Sequence, residues 1–438
     1  MKRLGLCTVL ATAFCVVGLS NIDKADASDL WEIYELALAN DPGFQADVLA
    51  HEANELNHPL DQSVFRPTIT STAEVGRQRS DSSGSNRTSD DNELGILAAL
   101  RIYDRAGRIQ IAQTEIRERA SEHMLANARH DLMLRVAERY FNILAAQDAR
   151  EVARLEKIAI RRQMDLADER LEVGLGTQTD FFDAKARFKQ AEADEIQTQN
   201  QINSHIAALQ EMIGMTPEAL SPLGADAPLV LPAPNDINAW VDKALVQNVP
   251  LLVQSLNSDI ALVEIDRQKS LTRPTVTLGA DYRWQDSNAM SASSDDFTTT
   301  SVGLTVQYPL YHVGTIQLRT RQAGLLYNRE NRLLEQARRL AASQTTSAFL
   351  DVTSSVSQVE ALFEAISAGE SALEAKKEGF SAGLTTNLDV LDAQRDLSVS
   401  RTHYLRARYN YILSILSLER AAGQLDEEDI KRVNSWLD

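Results

Sequence analysis

The chain has 438 residues, 44% hydrophobic and 24% charged, a composition of ordered protein with room for two or three ordinary domains. Its formal charge of −18 offers no basic face for phosphate and argues against a nucleic-acid partner. Its two cysteines, Cys7 and Cys15, both fall in the opening segment, so the remainder can form no disulfide, thiolate zinc site or cysteine nucleophile.

Residues 1–27 begin with Lys2 and Arg3, run apolar from Leu4 to Leu19 and end on Ala25-Asp26-Ala27, the pattern of a cleaved secretory signal. The apolar run is short for a membrane span. Removing the segment takes three basic and two acidic residues, moving the charge from −18 to −19. Phe14 precedes Cys15 where a lipoprotein signal has a small residue, which argues against a lipid anchor. No later run is long and apolar enough for a transmembrane helix, so any membrane crossing must be made by strands.

A first structural repeat is expected over 28–230. A helix expected over 43–64 is interrupted by Pro59, which predicts a kink or an early stop. A strand pair follows over 67–103: residues 69–75 alternate, as do Leu94, Ile96, Ala98, Leu100 and Ile102. The polar, small-residue stretch 79–93 between them reads as a solvent-exposed hairpin tip. From 106 to 173 there is no proline, and apolar residues such as Met133, Val136, Tyr140 and Ile143 recur at helical spacing. Such a helix runs to roughly 100 Å, a length no compact core uses. The turn "GLGT" then leads into a helix over 178–213. Thr177 and Asp180 fit the S/T-x-x-D/E capping pattern, and Asp183 lies one turn further on the same face.

The second repeat, 231–438, has the same plan. The stretch "FRPTITSTAEVG" at 65–76 returns as "TRPTVTLGADYR" at 272–283, "LRIYDRAG" as "YPLYHVG", and "ALANDP" as "LVQNVP". A period of about two hundred residues is a duplication on the scale of a gene, not a solenoid. The second strand pair, 274–311, places Val276, Leu278, Ala280, Tyr282 and Trp284 on one face, with Thr277, Gly279, Asp281 and Arg283 on the other. Its joining stretch, 285–296, again reads as an exposed tip. A half-buried soluble sheet has the same alternation, but strands of about ten residues with Tyr282, Trp284, Tyr308 and Tyr311 toward their ends favour a membrane barrel. A long helix over 314–380 and the turn "AGLT" follow. The helix over 386–421 begins with Thr386 and Asp389 in the capping pattern and Asp392 a turn beyond. The spacing of Ile202, Ile206, Leu209 and Ile213, repeated by Tyr411, Ile415, Leu418 and Ala422, is a coiled-coil seam.

Four membrane strands cannot close a barrel, and open edges in lipid leave backbone groups unpaired at several kcal/mol each. The chain must therefore associate. Two copies supply eight strands and a filled interior, three supply twelve and a lumen.

With "AGLTTNLDVLDAQ" (382–394), "RARYNYILSILSL" (406–418) and "AAGQLDEEDI" (421–430), the chain resembles the TolC-like outer-membrane efflux proteins along its whole length after the signal. The resemblance implies a mainly α fold with a membrane β-barrel. A homotrimer forms twelve strands, four from each chain, continued by a long α-helical coiled-coil tunnel. An equatorial region is made by short helices near Leu36, Trp240 and the C-terminus. It implies outer-membrane lipid around the barrel, a periplasmic adaptor, and an inner-membrane ABC or RND transporter as partners. It also places Asp389 and Asp392 at the narrowest point of the periplasmic mouth as a cation-selective ring, with Asp180 and Asp183 in the neighbouring outer pair. Some relatives close the mouth with a tyrosine and an arginine bonded to aspartates; the matching positions here are Phe380 and Thr385, neither able to do that.

No motif supports catalysis, a cofactor or a resident metal. His51 with His58, and His123 with His130, are seven apart and read as solvated faces. "GLGTQT" at 174–179 lacks the Gly-Lys-Ser/Thr ending of a phosphate loop and is followed by acidic residues. Three classes remain: a passive export channel, a periplasmic coiled-coil structural or adaptor protein without a pore, and a surface-binding barrel. Alternating strands argue against the second and the very long paired helices against the third. Nothing in the residues identifies the cargo.

Overall fold

The computed structural model describes residues 27–82, 85–217, 219–289, 295–311 and 314–438. The expected signal lies outside these residues apart from Ala27. The chain runs through helices α1 (Leu30–Asn40), α2 (Pro42–Glu55) and α3 (Asn57–Ser63), strands β1 (Thr68–Ser82) and β2 (Ser85–Asp104), then helices α4 (Arg105–Glu172) and α5 (Gln178–Ile213). The second repeat gives α6 (Ile237–Gln247), α7 (Val249–Ser270), β3 (Thr275–Ala289), β4 (Asp295–Gln307), α8 (Thr315–Ser381), α9 (Asn387–Ala422) and α10 (Glu427–Asn434).

Local chemistry sets the helix ends. Asp41 accepts from the Phe44 amide at 2.7 Å and starts α2, with Pro42 in the first turn; Asn248 accepts from the Leu251 amide at 3.1 Å and starts α7, with Pro250 in the first turn. The segment 43–64 is two helices, broken at Leu56. Pro59 cannot donate to the Glu55 carbonyl, and its ring crowds that oxygen, so the chain restarts a new helix in whose first turn a proline is harmless. No helix among the described residues is long and apolar enough to cross a membrane.

The four strands form one antiparallel sheet in the order β1-β2-β3-β4. Its register joins the apolar positions of both repeats on one face: Ala73, Leu94, Trp284 and Thr298 form a row, then Ser71, Ile96, Tyr282 and Thr300, then Ile69, Ala98, Ala280 and Val302. Leu100, Leu278 and Leu304 continue it. The opposite face is polar, with Thr72, Gly95, Arg283 and Thr299 in one row and an Arg283–Glu93 ion pair at 3.0 Å. Both outer edges, β1 and β4, lack a partner strand among the described residues.

Two expectations are corrected. The stretches 79–93 and 285–296 are largely strand, since β1 pairs with β2 as far as Ser82 and Ser85, and β3 runs to Ala289. Residues 83–84 and 290–294 lie outside the described residues. A backbone ladder needs no apolar side chain, and cross-strand pairs such as Arg77 with Asp90 serve the polar extension. Conversely, β4 stops at Gln307 rather than 311, because Pro309 has no N–H to give the ladder. Tyr308 and Tyr311 thus stand beyond the strand, both exposed.

The main core gathers where α1, α6 and α10 pack around the middles of α4 and α8 and the C-terminal ends of α5 and α9. Tyr140 and Phe141 meet edge to face at 5.5 Å, and Phe141 lies 5.7 Å from Tyr409. The polar ends are satisfied: the Tyr140 hydroxyl donates to the Ser221 carbonyl at 2.8 Å and the Tyr409 hydroxyl to Asp148 at 2.6 Å. Burial pushes the Asp148 carboxyl above the usual aspartate value, against the opposing pull of the Tyr409 hydroxyl and Arg408. From this girdle two hairpins, α4/α5 and α8/α9, run away from the sheet.

Candidate functional site at the hairpin tips

Each hairpin turns the same way. After α4, Gly174 at φ +74° lets the Leu175 and Gly176 amides reach back to the Arg170 carbonyl at 2.8 and 2.9 Å. After α8, Gly383 at φ +76° lets the Leu384 amide reach the Gly379 carbonyl at 2.8 Å. Thr177 and Thr386 then start the return helices with complete capping boxes. The Asp180 and Asp389 amides donate to the threonine hydroxyls at 3.1 and 3.2 Å, and the carboxylates accept from the threonine backbone at 3.3 and 2.9 Å. The two turns leave Leu175 and Leu384 81% and 83% exposed.

The aspartates of a pair have different partners. Asp389 also accepts from Lys376 of its own hairpin at 3.2 Å. Bonds from the Thr386 hydroxyl and amide, then Lys376, hold its carboxyl down to about 2. Asp392 instead faces the other hairpin and accepts from Arg187 of α5 at 2.8 Å. Asp180 is engaged in its cap, and Asp183 is exposed on the flank.

Further contacts tie the tips. Leu391 is buried among Ile160, Ala167, Ala184 and Ala191, so α9 sinks a knob into the α4/α5 hairpin. Asn387, 1% exposed, donates to the Asp180 carbonyl at 3.3 Å and accepts from Gln163. Phe380 lies under the Arg170 guanidinium at 4.3 Å, and the Thr385 hydroxyl donates to the Lys376 carbonyl at 3.0 Å. Phe380 therefore links the hairpins through its ring face, whereas Thr385 bonds only within its own. Arg187, Asn387, Gln163 and Arg170 escaped the sequence reading. Each has its partner in the other repeat, and no local pattern marks it.

Among the described residues no group of three His, Cys, Asp or Glu side chains could hold a metal ion. His51 bonds with Ser121 at 3.1 Å and lies 3.4 Å from Glu55, while His58 bonds with Gln62 at 2.5 Å.

The duplicated strand pair, paired long helices and capped tips have a counterpart in known proteins. Residues 33–215 and 240–424 match the family of outer membrane efflux proteins. The chain belongs to that family. It is 32% identical over 414 residues to the outer membrane protein TolC of Vibrio cholerae, covering 94% of each chain. It is 28% identical over 425 residues to the alkaline protease secretion protein AprF of Pseudomonas aeruginosa, covering 94% of this chain and 88% of that one. A crystal structure of CusC superposes with a TM-score of 0.79 at 17% identity, covering 94% of this chain and 96% of that one.

The fold is accordingly mainly α, with four strands contributed to a membrane β-barrel and continued by the long helices of the tunnel. The protein is an outer-membrane efflux channel that extends into the periplasm, and the apolar sheet face is the lipid-facing one. A periplasmic coiled-coil protein without a pore would have no use for such a face.

Proposed function

We propose that the chain is the passive exit duct of an export assembly and that its mouth is gated at the hairpin tips by Asp389, Asp392 and Arg187. The Arg187–Asp392 ion pair carries this reading, because it joins the hairpins of the two repeats where a family relative would use a tyrosine and an arginine. Three copies bring Asp389 and Asp392 together at the mouth as a cation-attracting ring, with Asp180 and Asp183 on the outer pair. Asp389 keeps Lys376 of its own hairpin, whereas Asp392 gives up Arg187 when the hairpins separate, so opening exposes the Asp392 charge as it widens the passage.

The edges of one chain support the trimer. Beneath the open edge of β4, α8 exposes Leu318 and Leu325; beneath the open edge of β1, α2 and α3 expose Leu49, Leu56 and Leu60. Joining one edge to the next copy's other edge pairs the strands and covers the leucines. At the tips, exposed Leu175 and Leu384 suit a periplasmic adaptor that continues the tube to an energised inner-membrane transporter of the ABC or RND kind. The duct performs no chemical step.

Planar-bilayer recording tests the reading. Purified protein should run as a trimer on an unheated gel and give a small, cation-preferring conductance. A stable monomer or an anion preference overturns it.

A further inference from the structure

In a chain of net charge −18, basic residues collect at one level. The lipid-facing side of the sheet ends at the row of Tyr103, Val276 and Val306. Immediately on the periplasmic side stand Arg66, Arg105, Lys269, Arg273 and Arg321, all exposed. Acidic side chains near them are already engaged. Asp61 accepts from Thr114 and Gln110, Asp104 from the Gly107 amide and Arg101, and Glu264 from Arg267. Lys269 makes only a 3.3 Å pair with Asp266, both ends well exposed, and Arg66, Arg105, Arg273 and Arg321 have no ion-pair partner among the described residues. From Gln307 to Arg329 there is no acidic residue at all.

The collar contains a cleft. Between the end of α7 and the start of α8, Lys269, Thr272, Ile316, Gln317, Thr320 and Arg321 line a shallow, open depression of about 490 Å³. Two cations, the Thr320 hydroxyl and the Gln317 amide can donate to a phosphodiester, with Ile316 beside the beginning of its hydrocarbon stem, while the Thr272 hydroxyl donates to the Lys269 carbonyl at 2.9 Å. The start of α8 adds to this: α4 is capped by its own Asp104, whereas the N-cap of α8 is Gly314, which has no side chain to offer. Exposed Leu310 and Tyr311, just ahead of α8, mark the same level as a membrane–water boundary.

We propose that this cleft and its collar bind the headgroup of an anionic phospholipid in the periplasm-facing leaflet, fixing the height of the channel in the membrane. Basic side chains close to a bilayer surface attract anionic lipid, and attraction confined to one ring resists both sinking and rising of the barrel. The bound group is the lipid's phosphate, held by Lys269 and Arg321, with the acyl chains continuing along the apolar sheet.

The test uses the intact trimer in nanodiscs of phosphatidylcholine with a minority of phosphatidylglycerol, read by electron spin resonance of lipids spin-labelled on the acyl chain. The wild type should immobilise labelled phosphatidylglycerol in preference to labelled phosphatidylcholine. The double variant Lys269→Ala/Arg321→Ala should lower that preference at least about threefold, and Lys269→Arg/Arg321→Lys should keep it. Equal immobilisation of both lipids by the wild type, or an unchanged preference in the alanine variant, overturns the proposal. So does loss of the preference on adding inorganic phosphate at an ionic strength matched with chloride, since the cleft would then be a free-anion site. A fourth outcome also overturns it: an alanine variant with shifted ion permeability but intact lipid preference, which places the two cations in the lumen. The trimer band on an unheated gel confirms that each variant folds. Because the readout is lipid preference, failure here leaves the gate proposal standing.

Discussion

Arg187 and Asp392 stand 205 positions apart, in different repeats, yet the guanidinium donates to the carboxylate at 2.8 Å. The pair is half-exposed, so each copy contributes no more than about 0.5 kcal/mol after solvent screening. Three copies acting on one opening step give roughly 1.5 kcal/mol, on the order of a tenfold shift in the open fraction. Arg187→Ala should therefore raise the mean conductance in bilayers several-fold, with Arg187→Lys restoring most of the closed state. A variant as tightly closed as the wild type would remove Arg187 from the gate.

Two glycines with the same backbone angle should respond differently to a methyl group. Gly383 and Gly423 both have φ +76°, but a Cβ on Gly383 meets nothing within 4 Å, whereas one on Gly423 falls 2.2 Å from the Gln247 carbonyl oxygen. Gly383→Ala bears only the left-handed strain of about 1–2 kcal/mol. Gly423→Ala must also push α9 off the start of α7 in the equatorial core. Thermal unfolding of the trimer should show a modest loss for the first and failure to assemble, or a far larger loss, for the second. Equal effects would contradict the packing of α9 against the α6–α7 link.

What was legible in the residues follows from the range of the forces involved. Strand alternation from Val276 to Trp284 could be read because a sheet with lipid on one side and lumen on the other imposes a period of two. The capping boxes at Thr177 and Thr386 could be read because they close within four residues. The strand beyond Arg79 could not, since its pairing is a matter of backbone and Ser, Asp and Asn side chains advertise turns. Nor could the mouth contacts. Leu391, Asn387 and Arg187 look like ordinary helix residues until α9 is laid against α5, and that placement is decided by the distant equatorial core.

The interface between copies can be broken on one side only. Leu325 is exposed on α8, whereas Ala323 is buried and Thr320 and Tyr327 are half-buried on another face of the helix. Leu325→Glu places a charge in the proposed contact with the neighbouring copy, a change expected to cost several kcal/mol if left unpaired there. Unheated gels should show loss of the trimer band with helix content retained by circular dichroism. A fully stable trimer would move the contact elsewhere on α8.

Acid should separate Asp389 from an ordinary carboxylate. Its folded-state value of about 2 lies below the usual 3.8, so the stabilisation it gives the start of α9 is complete above 3.8 and is lost as pH falls through about 2. At pH 3.8 the wild-type channel should still prefer cations, as measured by reversal potential. Thr386→Ala removes the strongest contributor to that depression, and its preference should fade at higher pH. Superimposable pH profiles would mean that Asp389 does not face the permeating ions.

The ring itself is tested by Asp389→Ala with Asp392→Ala, which should leave trimer mass intact while weakening cation preference and block by multivalent cations. Taken alone this experiment is ambiguous, because Asp392→Ala also frees Arg187 and loosens the mouth. A wider passage discriminates less whatever charge lines it. Arg187→Ala supplies the missing control: it breaks the same bond yet keeps all six carboxylates of the trimer. If the ring attracts cations, Arg187→Ala should be wider than the wild type and at least as cation-preferring, with block retained. The double aspartate variant should be wider and less selective. Should both lose selectivity and block equally, width alone explains the change, and Asp389 and Asp392 are left with the roles of helix cap and latch.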